Sequence, residues 1–368
     1  MTVAAINFAR CHITEIKVPH SCHRKFILVT KKCHQVACNC TPLPRAGVVM
    51  NRFKPCLLAC ATLWALPVAA SGPLDGSIYG KINLSVVATE EQGGTTSQDN
   101  YQVNSNASRL GVKGNSEIQP DLYAVYKAEF EVCADDGKCS GDSPFKQRNI
   151  MAGLKGRYGM VWVGNHDTPT KMAQNKVDLF NDLDGDLKNL LDGETRASNM
   201  VAYTSPTVNG FAATLAMMPG EEAEGADADD GLADGLSYSL SYTQGDLYLA
   251  VAGDREVKGQ DLLRLVAQYQ LQQLQLGFIY QQNEDSDGGS SVDEDGYFVS
   301  AAYKLDAVTL KAQYGSVDSA LEESDKETLS LGADYKLAKS TKLFAFYTAN
   351  EDGSEENDYL GVGMEHKF

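Results

Sequence analysis

The chain has 368 residues, of which 43% are hydrophobic and 22% charged, and its formal net charge is −17. This excess of acid over base argues against nucleic acid as a partner. No run of 18 or more apolar residues follows residue 70, so the remaining chain lacks an ordinary membrane-spanning helix and is either soluble or a β-barrel.

The first seventy residues have the composition of a targeting segment with extra sequence before it. A basic stretch at 51–54 precedes an apolar core at 56–66, and Val68-Ala69-Ala70 supplies small residues before a cleavage point. We therefore expect a signal peptide over 50–70 and an upstream extension over 1–49, translated from a start codon placed too early. Without residues 1–70 the chain keeps 23 basic and 48 acidic residues, a formal charge of −25.

Cysteine usage is consistent with export. Five of the nine cysteines lie in residues 1–49, where a zinc site at Cys33, Cys38 and Cys40 would lack a paired CxxC spacing. After residue 70 only Cys133 and Cys139 remain, within a stretch rich in Asp, Gly and Lys. In an oxidising compartment they would most simply form a disulfide in a loop, and two free thiols are the alternative.

The chain from residue 76 onward consists of segments of about ten residues with alternating polarity. In the first segment Ile78, Ile82 and Leu84 share one face, while Tyr79 and Lys81 share the other. Sixteen segments follow this pattern, and an even number of antiparallel strands can close into a barrel. The predicted strands are the segment around 78–86, then 101–115, 122–132, 145–156, 158–165, 197–205, 210–217, 235–243, 246–253, 261–271, 273–283, 296–304, 307–317, 327–336, 341–350 and 357–368.

The final segment shows the alternation most clearly. Leu360, Val362, Met364 and Phe368 fall on one face, and polar residues or glycines fall on the other. A strand with this pattern that ends in an aromatic residue is typical of the closing strand of an outer-membrane barrel. An edge strand of a soluble sheet is the alternative.

The connections between the strands alternate between short and long. Short turns such as 244–246, 271–273 and 205–209 contain Gly, Gln, Asn or Pro. The long connections are acidic and rich in Gly and Ser, as expected for a barrel with short turns on one rim and long loops on the other. They span residues 90–100, 218–234, 284–295, 318–326 and 350–357.

One connection has no strand alternation over about thirty residues, from His166 to Thr195. A stretch of this length without regular structure is usually functional. It contains the acidic run Asp178 to Asp186 and a few apolar residues that could pack on an interior wall, leaving the carboxylates to face the remaining space. A solvated acidic surface loop is the alternative.

Several stretches, in this order and at these spacings, resemble the general diffusion porins of Gram-negative outer membranes. These porins are trimeric 16-stranded barrels, and the resemblance covers essentially all of the chain after residue 70. The stretches are Gly76–Lys81, Ser108–Gly114, Arg148–Lys155, Tyr158–Gly164, Arg196–Ser205 and the terminal Phe368.

The resemblance implies an all-β, 16-stranded antiparallel transmembrane barrel with short periplasmic turns, long extracellular loops and a third loop folded into the lumen. Acidic residues of that loop would face basic residues on the barrel wall. The acidic side would be Asp178 and Asp182, with Asp184 and Asp186 as further candidates, and the basic side Lys81, Arg109, Arg148 and Arg196. Arg148 lies on a strand whose two faces are both mixed in polarity. The alternative to a place in the lumen is therefore an ion pair of Arg148 at a rim of the barrel.

The resemblance also implies partners and a location. The expected protein is a homotrimer in the outer membrane, in contact with lipid and lipopolysaccharide, with Phe368 as the signal for the barrel-assembly machinery. In the family the second loop, about 133–144 here, contacts a neighbouring subunit. A Cys133–Cys139 ring departs from the family pattern.

The function implied is passive diffusion of small hydrophilic solutes and ions. The charge of −25 and the acidic loops predict a weak preference for cations. A sugar-specific channel is the alternative, but it would need a line of stacked aromatic residues, and the loop offers only Phe180.

Other chemistry has little support in the sequence. We find no nucleophile and base pair for an enzyme and no nucleotide fingerprint. His166 beside Asp167 has only His366 as another histidine after residue 70, so no metal cluster is expected. We predict no cofactor, although the acidic runs are compatible with divalent cations at a rim facing lipopolysaccharide.

Overall fold

The computed structural model describes residues 76–93, 96–139, 141–220, 231–286, 293–319 and 325–368. The predictions of a signal peptide over 50–70, an upstream extension over 1–49 and a zinc alternative at Cys33, Cys38 and Cys40 lie outside the described residues.

Within these described residues, seventeen antiparallel strands form a single closed sheet. Strands that are consecutive in the chain pair with each other, except that β2 and β3 both pair with β1, and β1 also pairs with β17 along the register from Lys81↔Lys367 to Gln92↔Glu356. The strands are β1 Gly76–Gly93, β2 Thr96–Ser105, β3 Arg109–Gln119, β4 Leu122–Val132, β5 Phe145–Gly156, β6 Gly159–Asp167, β7 Arg196–Thr204, β8 Phe211–Met218, β9 Gly235–Gln244, β10 Leu247–Val257, β11 Gln260–Leu271, β12 Leu274–Asp285, β13 Asp293–Leu305, β14 Val308–Ser319, β15 Lys326–Ala338, β16 Thr341–Asp352 and β17 Glu355–Lys367.

The seventeen strands make a 16-stranded barrel, as the alternation predicts, because β2 and β3 share one position. The predicted strand 101–115 is interrupted at residues 106–108, where Ala107 has a φ of 46°. β2 pairs with residues 84–93 of β1, and β3 pairs with residues 76–81 of β1. The Ser108 hydroxyl accepts a hydrogen bond from the Asn83 amide and donates one to the Asn83 carbonyl, which satisfies the backbone of β1 at the break.

The two faces of the strands differ as predicted. Ile78 and Leu360 point outward and are 72% and 61% exposed, whereas Asn83 points inward and is buried. Apolar side chains on the outer face suit lipid, and polar ones on the inner face suit a wet lumen. No helix within the described residues is long and apolar enough to cross a bilayer.

The short turns occur where the sequence predicts them, but two of the predicted long loops are extended hairpins. β16 continues to Asp352 and β17 begins at Glu355, so only two residues of the predicted loop 350–357 lie outside the strands. Likewise β1 ends at Gly93 and β2 begins at Thr96, within the predicted loop 90–100. Neither segment contains proline, which would remove a ladder hydrogen bond, so the backbone hydrogen bonds of both strand pairs continue into the predicted loops. The predicted loops 218–234, 284–295 and 318–326 include residues outside the described ranges.

Candidate functional site in the barrel lumen

The connection between β6 and β7, residues 168–195, folds into the barrel; we call it the lumen loop. It begins with a short helix, α1 Pro169–Ala173, whose first turn is capped by the Thr168 hydroxyl accepting from the Lys171 amide. A 3-10 helix at Leu187–Asn189 follows, capped by the Asp186 carboxylate, which accepts from the Lys188 amide. Both caps satisfy amide groups that a helix start leaves without partners.

Apolar residues of the lumen loop pack against inward-facing apolar residues of the barrel, which we call the packed wall. Val177, Leu187, Leu190 and Leu191 contact one group, and Phe180, which is fully buried, contacts another. The packed wall consists of Ala250, Ala252, Val266, Ile279, Phe298 and Val317 in the first group and Val87, Phe344 and Phe346 in the second.

Glycines on the same wall let the lumen loop approach closely. A Cβ atom at Gly332 would lie 2.8 Å from the Phe180 ring, and one at Gly277 would lie 2.8 Å from the Val177 side chain. These positions therefore need the smallest residue so that the loop can lie against the wall. Lys311 strengthens this contact, since its ammonium group lies 4.5 Å from the centre of the Phe180 ring and donates to the Leu179 carbonyl.

On its other side the lumen loop meets a basic part of the barrel, the charged wall formed by Lys81, Arg109, Lys127, Arg148 and Arg196. Asp182 makes the contact: its Oδ2 lies 2.8 Å from Lys81 Nζ and 2.5 Å from Arg109 Nη2. All three side chains keep some exposure, from 12% to 20%. Of the predicted acidic residues, Asp182 is therefore the one that reaches the predicted basic residues.

The environment of Asp182 keeps it charged. Burial by itself would raise the pKa of this carboxyl, but Lys81 and Arg109 outweigh that effect and lower its pKa below the usual range. Its backbone φ of 69° lies in the left-handed region, where Asp is one of the tolerated residues, and this geometry places it at the turn that reaches across the lumen.

Arg148 and Arg196, the other predicted basic residues, also face the lumen, and each has an acidic partner on the wall. Arg148 donates to Glu129 Oε1 at 3.1 Å and to Glu131 Oε2 at 3.0 Å. Arg196 donates to Asp167 Oδ1 at 2.8 Å. Arg148 therefore lines the lumen together with Asp182, as the resemblance implies, and it is also paired with wall carboxylates near the start of β5, as the alternative expects.

Glu129 is one of the site residues that the sequence analysis missed, together with Lys127 and Glu131. It accepts hydrogen bonds from Tyr79 and Arg148 and lies 3.6 Å from Lys127. The alternation places Glu129 on the polar face of β4, but local periodicity does not show which basic residues surround it. The charged wall is thus a network of paired charges instead of a purely basic row.

The remaining predicted acidic residues serve the lumen loop itself. Asp178 accepts from the amides of Phe180 at 2.9 Å and Leu187 at 3.1 Å, and it does not line the open space. Asp186 is buried and accepts from the Asp182 amide at 2.7 Å as well as capping the 3-10 helix. The expectation that all four face the charged wall is therefore wrong for Asp178, whose carboxylate is used within the loop.

Burial and the nearby Asp186 carboxylate raise the pKa of Asp178 to about 8. Burial also raises the pKa of Asp184. The Asp184 backbone carbonyl accepts from Asn189 and from Asn350 on the barrel wall, so this residue helps to fix the loop in place.

Two polar cavities meet at the Asp182 contact. The larger, of about 760 Å³, is lined by charged residues of the charged wall and of the lumen loop, including Arg148, Arg196 and Glu194. The smaller, of about 420 Å³, lies toward the chain end and includes Lys81, Glu129 and Phe368. Arg109, Asn181 and Asp182 line both cavities, so these residues stand at the point where a solute would pass from one to the other.

The other predicted positions lie away from this point. Cys133 and Cys139 are joined as a disulfide, with Cα atoms 5.2 Å apart, in the connection between β4 and β5. The Phe368 backbone pairs with Gly80 in both directions, which closes the barrel at the chain end. His166 stacks near Trp162, and no group of His, Cys, Asp or Glu among the described residues is arranged to hold a metal ion.

Comparison with known proteins agrees with this geometry. The family model for Gram-negative porins matches residues 57–354. Outer membrane porin protein 32 of Delftia acidovorans is 26% identical over 82% of this chain and 91% of its own length. A major outer membrane protein P.IB of Neisseria meningitidis is 26% identical over 86% of this chain and its full length.

Solved structures share the fold. An anion-selective porin from Comamonas acidovorans superposes with a TM-score of 0.71 at 22% identity, over 80% of this chain and all of that one. The OmpF porin of Salmonella typhi superposes with a TM-score of 0.61 at 16% identity, over 80% and 98%. The chain therefore belongs to the Gram-negative porin family and is a diffusion channel of the outer membrane.

Proposed function

We propose that small hydrophilic solutes and ions cross the barrel along the charged wall and pass their narrowest point beside Asp182. The observation that carries this proposal is the meeting of the two polar cavities at Arg109, Asn181 and Asp182. On the opposite side the lumen loop is packed against apolar residues, which leaves the charged side as the wet path.

The paired charges support passage of polar solutes. Opposite charges held across a narrow wet gap orient water and dipolar solutes, whereas an apolar solute must disturb that water without compensation. The network of Arg148, Glu129 and Glu131 extends this field along the charged wall.

Ion selectivity depends on two charge distributions that act in opposite directions. Acidic residues face each other across strand pairs at the loop-side rim, as in Glu284↔Asp293 and Glu351↔Glu356, and they attract cations. Within the described residues, however, the larger cavity is lined by seven basic and five acidic side chains, which favours anions.

We therefore propose a weak cation preference that depends on salt. The Debye length falls from roughly 10 Å at 0.1 M to roughly 3 Å at 1 M salt, so concentrated salt screens the exposed rim more than the enclosed cavity. Reversal potentials in planar bilayers should show cation preference in dilute salt and lose it in concentrated salt. A chloride preference in dilute salt would overturn this part.

A sugar-specific channel is the second candidate, and the packing of Phe180 disfavours it. The ring of Phe180 is fully buried against the packed wall and is not available for stacking with a solute. Saturation of the conductance by a sugar would support the sugar-specific channel, and its absence supports general diffusion.

We further propose a homotrimer whose connection 133–144 contacts a neighbouring subunit and which is surrounded by lipid and lipopolysaccharide. Phe368 would be the signal for the barrel-assembly machinery. A solved Vibrio cholerae OmpT structure that shares the fold at 16% identity carries the description "trimer form". Single-channel recordings of refolded protein test the whole proposal. Three equal conductance steps support three independent pores, one step contradicts the trimer, and a barrel that never conducts contradicts the channel.

A further inference from the structure

Arg264 on β11 is an arginine buried completely inside the barrel, with a side-chain exposure of 0%. A guanidinium group in such a place is costly unless its N–H groups have partners. The partners here belong mainly to the lumen loop. Arg264 donates to the Glu194 carboxylate at 2.6 Å and to the Asp192 carbonyl at 2.7 Å, and its Nη1 lies 3.5 Å from the Thr170 carbonyl.

These contacts join the two legs of the lumen loop, the outgoing leg 168–174 and the returning leg 192–195. Thr170 belongs to the outgoing leg, and its hydroxyl also donates to Asp254 on β10 at 2.6 Å. The returning leg has the sequence Asp192-Gly193-Glu194-Thr195, without any apolar side chain. The apolar packing that holds the middle of the loop therefore does not extend to this leg, and its polar contacts must hold it.

The backbone of the returning leg is shaped to reach Arg264. Gly193 has a φ of +84°, which a residue with a side chain rarely adopts. A Cβ atom there would lie 3.2 Å from Arg264 Nη2 and 2.7 Å from the Leu262 side chain. Both the conformation and the close approach thus require glycine at this point.

The legs also border the conduction path. Lys171 and Gln174 of the outgoing leg and Glu194 of the returning leg line the larger cavity. Glu194 connects the two legs as well, because it accepts from Gln174 at 2.8 Å. A displacement of either leg would change the shape of that cavity.

We propose that Arg264 is a positioning residue of the pore, which holds both legs of the lumen loop against the packed wall. This clamp prevents brief closures of the open channel. This inference rests on the proposed conduction path. Arg264 itself does not line either cavity, so it acts through the loop and not through contact with the solute.

The test is single-channel recording of Arg264→Met, with Arg255→Met as the matched control. Arg255 is 70% exposed and forms an exposed ion pair with Glu256 at 3.8 Å, away from the lumen loop, so its loss should leave the current unchanged. Loss of hydrogen bonds to a charged group should raise the frequency of brief closures in Arg264→Met by about tenfold to a hundredfold. Currents of Arg264→Met that match the wild type would overturn the clamp.

A second variant covers the case in which Arg264→Met does not fold because it leaves Glu194 charged and buried. Arg264→Met combined with Glu194→Gln removes both charges, which is usually tolerated better than removal of one. The double variant should still close more often than the wild type, because the Thr170 carbonyl has lost the Arg264 donor and the Asp192 carbonyl has lost one of its two side-chain donors, keeping Gln281. A double variant with wild-type currents would also overturn the clamp.

The pH dependence separates this role from a general loss of packing. Burial raises the pKa of Glu194, while Arg264 and Lys171 lower it and Asp186 raises it further, with a raised value as the net result. Without Arg264, lowering the pH should protonate Glu194 and reduce the closures, relative to wild type recorded at the same pH values. The double variant should show no such recovery, and a recovery there would contradict the assignment to Glu194.

The two proposals fail in different ways. If wild-type protein forms no pores, the proposed function fails, and the clamp fails with it because it rests on the conduction path. If wild-type protein conducts and Arg264→Met conducts identically, only the clamp fails.

Discussion

The charged wall and the packed wall of this barrel are built from strands with the same alternation, yet one borders open cavities and the other is covered by the lumen loop. The packed wall presents Ile279, Phe298 and similar side chains to the lumen loop and becomes a dry core. The charged wall presents arginines and glutamates such as Arg148 and Glu129 and borders the open cavities. The chemistry of the inward-facing residues, and not the strand geometry, decides where water stays.

Asp182 and Phe180 show how one loop serves both walls. They lie two positions apart, with Asp182 bonded to the charged wall and Phe180 buried in the packed wall. Phe180→Ala changes only the contact with the packed wall, and Asp182→Asn changes only the contact with the charged wall.

The largest effect is expected from the packed wall. Phe180→Ala removes a fully buried ring, and large-to-small changes of this kind cost about 3–5 kcal/mol of stability. Urea unfolding in detergent, followed by tryptophan fluorescence, should show this loss. Phe145→Ala, which removes a ring that is 52% exposed, is the control and should change stability little. Equal stability of the two variants would mean that the loop is not held by its apolar side.

The next effect concerns the charged wall. Asp182→Asn leaves Lys81 and Arg109 without their shared carboxylate, so the narrow point gains positive charge and the preference should shift several-fold toward anions. Reversal potentials in a salt gradient measure this shift. Asp178→Asn is the matched control, because the Asp178 carboxylate bonds to loop amides away from the cavities. A shift of the same size in both variants would contradict the separate roles.

A smaller effect is expected from pH. The pKa of Asp178 is raised to about 8 in the folded loop, above the usual value of 3.8 for Asp. The folded state therefore binds a proton at Asp178 more tightly than the unfolded state does. The contribution of this proton to the stability of the fold is complete below pH 3.8 and is lost as the pH rises toward 8. The current noise of wild type should increase over this range, while Asp178→Asn, which is always neutral, should be less affected. Noise that falls with rising pH in wild type would contradict the sign.

The smallest effect is expected at the Cys133–Cys139 ring. It lies outside both cavities, so reduction should leave the single-channel conductance unchanged. If the connection 133–144 contacts a neighbouring subunit, reduction should lower the temperature at which the oligomer dissociates on a gel by about 2–4 °C. The Cys133→Ser, Cys139→Ser variant is the control that should behave the same with and without reductant. A conductance change on reduction would place the ring in the path.

The sequence predicted much of the charged wall and little of the lumen loop. Lys81 and Arg109 belong to strands, where the alternation alone says which side chains face inward. Asp178, Asp182, Asp184 and Asp186 belong to irregular backbone, where no period relates position to direction. The sequence could therefore select the loop but could not say that Asp182 alone reaches Lys81 and Arg109.

Arg264 illustrates the same limit from the wall side. The alternation of β11 places it inward, as it does for many polar residues, but its burial depends on a loop about seventy positions earlier in the chain.

By itself the sequence determined the number of strands, their faces and the closed antiparallel order, because a strand's period of two residues is written directly in its polarity. Only the tertiary structure decided which wall is dry, which carboxylate meets the basic residues and which arginine holds the loop. Those outcomes depend on distances between segments far apart in the chain, and local periodicity carries no information about such distances.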